Sequence, residues 1–353
     1  MVKAMVKAMV KAMVKAGTEE HHEANRATPG EASMTLTRRR GRAVLAAVLL
    51  TLGAALPAAV RADCPPGASD LDAPTALVLS GGGAKGGWEA ELAMALLEAR
   101  MPIRLLAGSS AGALNAAMLA DGRLDRLEAT WRGLTREQVY RFRPAIALAG
   151  FLPGWLTLLT LDRARALFDP GPLRELIEAT VDLDRVRASP LRLLVVTMDL
   201  ERRSKRVFDN ATVSVAALMA ATAVPGAFPA VEVDGALLVD GGLTGRAPIL
   251  ESLESDPPLG RAIVALSYAS DERGERPTTL RRALEQAFEA SMVHQIERDV
   301  ELARLKFPQV AVQVVRPSAS LALRPLEFDG AGLGRAFELG LADGRRCARA
   351  WGG

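Results

Sequence analysis

Three short stretches carry residue types that could do chemistry together: Gly81-Gly82-Gly83-Ala84-Lys85-Gly86, Gly108-Ser109-Ser110-Ala111-Gly112 and Asp240-Gly241-Gly242. The first offers consecutive backbone N–H groups able to cradle a developing anion. The second sets a serine among small residues, as a nucleophile on a sharp strand-to-helix turn requires, with Gly108 and Gly112 leaving room for the backbone. The third supplies a carboxylate able to accept the serine proton. Nucleophile, base and oxyanion donors are what hydrolysis of a carboxylic ester needs.

The first and third stretches also admit other readings. Gly81, Gly83 and Gly86 satisfy the spacing of a dinucleotide-binding turn, but that turn expects an acidic residue at the end of the next strand. Residues 101–110 contain no Asp or Glu. A phosphate-binding P-loop fails as well, because Gly86 is followed by Gly87 rather than by Lys and Ser or Thr. An oxyanion loop of Gly81, Gly82 and Gly83 remains, with Lys85 steadying it or adding positive potential. Asp240 alone would pass for an Asp-Gly turn, with Gly241 and Gly242 completing it. His294 is the sole histidine after residue 22 and sits in a long Glu- and Arg-rich helical pattern, so it reads as a helix-surface residue. Base duty therefore falls to Asp240.

The elements that must hold these residues alternate along the chain. Short apolar runs at 76–79, 103–107, 191–198, 236–239, 262–266 and 310–315 suit buried strands. Helical periodicity fills 88–99, 113–119, 123–132, 213–221, 279–305 and 331–349. Such alternation predicts an α/β fold of three layers, with helices on both faces of a largely parallel sheet, as one domain over 75–353. Residues 144–161 are apolar on nearly every face and broken by Pro153 and Gly154. They read either as core or as a mobile cap making peripheral membrane contact.

The segment before the domain divides in three. A fourfold Met-Val-Lys-Ala repeat and a polar stretch make 1–33 a disordered tail or a start-site artefact. Residues 34–62 have the basic start, apolar middle and small-residue end of a signal peptide, with an uncleaved membrane anchor as the alternative. Residues 63–74 read as a linker. The first 62 residues hold ten Lys or Arg and four Asp or Glu, so of 44 basic and 41 acidic residues 34 and 37 remain, a net of −3. The basic character thus belongs to the leader, and no nucleic-acid partner is expected. Cys64 and Cys347 are the only cysteines. In an oxidising compartment they could pair and tie the ends of the domain together, against the alternative of two free thiols. Neither a metal nor a cofactor is expected.

With these residues in view the chain resembles patatin-like phospholipases, in which a Gly-rich oxyanion loop, a Gly-x-Ser-x-Gly serine and an Asp-Gly-Gly aspartate form a Ser–Asp dyad. Ala221-Thr-Ala-Val-Pro-Gly-Ala-Phe-Pro229 is similar to the family's block leading to the aspartate strand. The resemblance runs from about Thr75 to at least Pro248. It implies Ser110 as nucleophile, Asp240 as base, Gly82 and Gly83 as oxyanion donors and Lys85 at the family's basic position. One departure is Leu243-Thr-Gly-Arg-Ala-Pro248, where many members carry asparagine before the proline. The expected activity is that of a periplasmic or secreted lipid acyl hydrolase of phospholipase A or lysophospholipase type. The alternatives are an esterase or thioesterase on other acyl groups and a non-catalytic lipid-binding protein.

Overall fold

A run of apolar residues without polar alternation forms a strand only where both its faces are covered. In the computed structural model of the protein, Thr75–Leu79 (β1) is such a strand, buried along its whole length. The structure describes residues 64–65, 72–144, 146 and 164–352, apart from 246, 256, 257, 271 and 275. The expected tail at 1–33 and signal peptide at 34–62 lie outside these residues, as does all of 144–161 except Pro144 and Ile146.

After β1 come α1 (Gly86–Glu98), β2 (Ile103–Gly108), α2 (Ala111–Asp121), α3 (Leu124–Gly133) and α4 (Arg136–Val139). A small antiparallel pair, β3 (Arg141–Phe142) and β4 (Phe168–Asp169), precedes α5 (Gly171–Thr180) and α6 (Leu183–Arg187). The chain continues through β5 (Arg192–Asp199), β6 (Ser204–Asp209), α7 (Val215–Ala221), β7 (Val231–Val233) and β8 (Ala236–Asp240). It ends with α8 (Ile249–Leu253), β9 (Arg261–Ala265), α9 (Leu280–Lys306), β10 (Ala311–Val315) and α10 (Gly330–Ala350).

The main sheet runs β10-β9-β1-β2-β5-β8-β7, with β6 on the other edge of β5. β10, β9, β1, β2 and β5 are parallel, whereas β6, β7 and β8 pair antiparallel. Successive side chains on a strand point to opposite faces. Leu77 and Leu79 therefore enter a core with α1, α2, α3 and α10, while Ala76 and Val78 enter a second core with α8 and α9. Three layers follow, as the alternation of apolar runs and helices predicts. Sequence reading passed over β6 and β7 for a physical reason: β6 is mostly exposed and carries Ser204, Lys205 and Arg206, the polar pattern of a peripheral strand.

Cys64 and Cys347 are joined by a disulfide, with their Cα atoms 5.3 Å apart. Beside it the Trp351 indole N–H donates to the Pro65 carbonyl at 2.8 Å. Cys64 and Pro65 are thereby bound to the end of α10, which in turn packs along α1, where the Trp88 indole N–H donates to buried Asp343 at 3.0 Å. Among the described residues no helix is long and apolar enough to cross a membrane.

The same helix layer holds an acid in an unfavourable place. Glu91 on α1 is buried, and among the described residues its Oε2 has no hydrogen-bond partner. Burial, and then the Glu128 carboxylate, push its pKa from the ordinary 4.5 up to about 7, against the opposing pull of Arg132. Between those two values the folded protein keeps a proton that the unfolded chain has released, so stability falls as pH rises through this window. Glu91→Gln removes the penalty. Thermal melts from pH 5 to 8 should show a flatter decline for the variant, with a gain on the order of 2 kcal/mol at pH 8. Parallel profiles for the two proteins would mean that Glu91 ionises freely in the fold.

Candidate active site

The glycine loop leaves the C-terminal end of β1 and enters α1. Gly81, Gly82 and Gly83 have φ of 75°, 129° and 59°. Three successive left-handed residues are costly for any side chain bearing a Cβ, which accounts for three glycines in a row. A Cβ on Gly83 would also collide with the Pro325 carbonyl, to which the Ala84 N–H donates at 2.9 Å.

The second motif turns from β2 into α2. Ser110 has φ 54° and ψ −136°, strain of the kind a non-glycine residue carries at a nucleophile elbow. Its N–H donates to the Ala221 carbonyl at 2.9 Å. Close packing requires the flanking glycines: a Cβ on Gly108 would strike the Gly112 backbone, and one on Gly112 would strike the Leu79 carbonyl. An ideal Cβ built on Gly81 would lie 3.0 Å from the Ser110 Cβ, so the glycine loop passes directly over the serine turn. Ser110 is partly exposed and stands at the N-terminus of α2, whose dipole favours negative charge there.

Asp240 ends β8 and is 2% exposed. Its Oδ1 accepts the Gly242 N–H at 2.8 Å, and its own N–H donates to the Ala223 carbonyl at 3.1 Å. The antiparallel course of β8 is what brings it to Ser110. β2 and β8 lie on one edge of β5 and run toward each other, with Gly108 paired to Val195 and Asp240 to Thr197. Two residues of strand separate those rows, roughly 7 Å. A single segment, Ala221-Thr222-Ala223, then binds the backbone of both Ser110 and Asp240. This is part of the 221–229 block singled out in the sequence.

Behind Asp240 the chain makes a tight turn at Gly241–Leu243. A Cβ on Gly241 would collide with the Val196 carbonyl, and one on Gly242 would press on Met292 of α9. Just after this turn, within the departure noted in the sequence, the Thr244 hydroxyl donates to the Gly241 carbonyl at 2.8 Å.

Lys85 points away from solvent. Its ammonium lies 3.2 Å from Glu272 and 3.7 Å above the Tyr268 ring, an anchor for the loop rather than an exposed charge. Gly86 starts α1, whose backbone carbonyl at that position accepts the Asn115 side-chain N–H at 2.8 Å. His294 is exposed on α9. Among the described residues no group of three His, Cys, Asp or Glu side chains could hold a metal ion.

Two supporting residues escaped the sequence reading. Glu89 is fully buried; its Oε1 accepts the Ser80 hydroxyl at 2.7 Å and its Oε2 the Gly81 N–H at 2.9 Å. That bond engages the Gly81 amide, leaving Gly82 and Gly83 as the loop's oxyanion candidates. Ser267, just after β9, donates its hydroxyl to the Gly81 carbonyl at 2.6 Å. The sole signal for Glu89 was an acid in the first turn of the helix that follows the glycine loop, and none marked Ser267.

The family model described as patatin-like phospholipase matches residues 77–253, which include all three motifs. Uncharacterized NTE family proteins of Mycobacterium bovis and Mycobacterium tuberculosis are each 32% identical over 175 residues, 49% of this chain and 44% of the relative. The match therefore spans less than half the length of those relatives. Among solved structures, VipD from Legionella pneumophila is similar at 16% identity and a TM-score of 0.43, over 79% of this chain and 67% of that one.

Proposed function

Because the chain belongs to the patatin-like phospholipase family, we propose that it hydrolyses carboxylic esters of lipids through a Ser110–Asp240 dyad. Asp240 takes the Ser110 proton as the hydroxyl oxygen attacks the acyl carbon. The N–H groups of Gly82 and Gly83 receive the oxyanion, the alcohol or lysolipid departs with the proton, and water then releases the fatty acid from the acyl-enzyme. The observation that carries this reading is the shared anchoring of Ser110 and Asp240 on the 221–223 segment, at facing strand ends under the glycine loop.

A lipid substrate is supported by exposed apolar residues tied to the chain that follows that segment. Leu167 and Phe168 donate their N–H groups to the carbonyls of Gly226 and Ala227, and Phe142 and Leu167 are exposed. Phe142 packs edge-on against Phe168 and Tyr140, with ring centroids 5.2 and 6.2 Å apart. A periplasmic or secreted location is part of the proposal, supported by the Cys64–Cys347 disulfide, since such bonds persist where the surroundings are oxidising.

The test is labelling of the full chain with a fluorophosphonate probe, followed by hydrolysis of esters of increasing acyl length in solution and on phosphatidylcholine vesicles. Labelling lost in Ser110→Ala, with preference for long chains and a gain on vesicles, is the expected result. Preference for short soluble esters would turn the reading to an esterase. No labelling of folded protein that still sediments with vesicles would leave a lipid-binding protein.

A further inference from the structure

The glycine loop is the softest backbone in the site and also the part whose direction matters most. Glycines lack the steric restraint that holds an ordinary residue to one φ/ψ well, so a peptide plane between two of them can rotate unless something outside the loop grips it. The Gly81 carbonyl and the Gly82 N–H share one planar trans peptide and point in opposite directions. Whatever fixes that carbonyl therefore aims that N–H.

Ser267 is in this position. It is fully buried, follows β9 by two residues and gives its hydroxyl hydrogen to the Gly81 carbonyl at 2.6 Å. The Ser80 hydroxyl lies 3.4 Å from the same carbonyl but gives its hydrogen to Glu89 at 2.7 Å. The preceding peptide is held separately, by the Gly81 N–H bond to Glu89 at 2.9 Å. The following ones are held through the Lys85 N–H, which donates to the Gly82 carbonyl at 3.3 Å, and the Ala84 N–H, which donates to Pro325.

We infer that Ser267 is a positioning residue of the acyl-transfer site, holding the Gly82 N–H on the oxyanion through the Gly81–Gly82 peptide plane. A hydrogen bond to the carbonyl also polarises the peptide, which makes its N–H a stronger donor. The inference rests on the proposed acyl-hydrolase reading and adds to it a residue that never touches substrate.

The experiment compares full-length wild type, Ser267→Ala and Ser267→Thr, measuring kcat and KM on a long-chain ester, melting temperature, and inhibition by a trifluoromethyl ketone, whose adduct carries the oxyanion. Losing the clamp should lower kcat by about 10- to 100-fold, part of the effect of removing an oxyanion donor outright. KM should stay within about twofold, because the ground-state carbonyl makes little use of that N–H. Affinity for the ketone should fall by the same factor as kcat/KM, and Ser267→Thr, which restores the hydroxyl, should recover most of both. A purely structural role would lower the melting temperature without this parallel loss, and that result overturns the inference. So does wild-type kcat in a folded Ser267→Ala protein, or a change confined to KM. A wild type that neither hydrolyses esters nor reacts with fluorophosphonate would instead overturn the acyl-hydrolase reading, and the inference with it.

Discussion

Ser110→Ala and Asp240→Asn should each lower ester turnover by roughly 10⁴-fold or more, whereas His294→Ala should leave it within about twofold. Alanine removes the atom that would carry the acyl group, so Ser110→Ala leaves only binding and the oxyanion donors. Asparagine is the sharper substitution. It keeps the shape of Asp240 and an oxygen able to accept the Gly242 N–H, but it cannot take the serine proton. Loss of rate in a variant that melts like wild type thus separates proton transfer from scaffolding. His294 is exposed on α9, and the proposed dyad makes no use of it. An inactive but folded His294→Ala protein would end the two-residue mechanism and require a triad. Full activity of Asp240→Asn would be equally decisive against Asp240 as base.

Breaking the Cys64–Cys347 disulfide should be the largest single loss of stability. The bond closes a loop with a sequence separation of 283 residues. Restricting the unfolded chain over so long a loop is worth about 5.6 kcal/mol in the chain-entropy model, which engineered bonds often fail to reach. Cys64→Ser, or reduction of the wild type, should therefore lower the melting temperature by roughly 10 °C. Cys64 is the better target, since Cys347 is fully buried and a serine there would add a buried hydroxyl to the effect. The Trp351–Pro65 hydrogen bond remains in the variant and does not close the loop covalently. Identical melts with and without reductant would show that the α10 end of the fold is held by packing alone.

The three motifs were legible because their chemistry is local. A serine elbow needs glycines at Gly108 and Gly112, and a loop with three left-handed residues needs Gly81, Gly82 and Gly83, so those identities follow from backbone sterics at adjacent positions. The central strands were legible for a related reason: burial on both faces demands uninterrupted apolar runs. Peripheral β6 and β7, each only partly buried, escaped that pattern. The 221–229 block could be picked out by resemblance, but not its action, which is to bind the backbones of two residues more than a hundred positions apart.

From the sequence alone came the identities of the candidate nucleophile and base and the layered α/β class, while the choice between a Cys64–Cys347 bond and two free thiols stayed open until the fold brought them together. The tertiary structure decided the rest, because it depends on direction and long-range proximity. Whether β8 runs with or against β5 is not written in Ala236–Asp240, yet only the antiparallel course points Asp240 at the end of β2. Ser267 lies 186 residues from the carbonyl it grips, and its environment in the sequence is an ordinary apolar strand end. Local steric need leaves its mark on neighbouring residue types; a hydrogen bond across the sheet leaves none until the strands are in register.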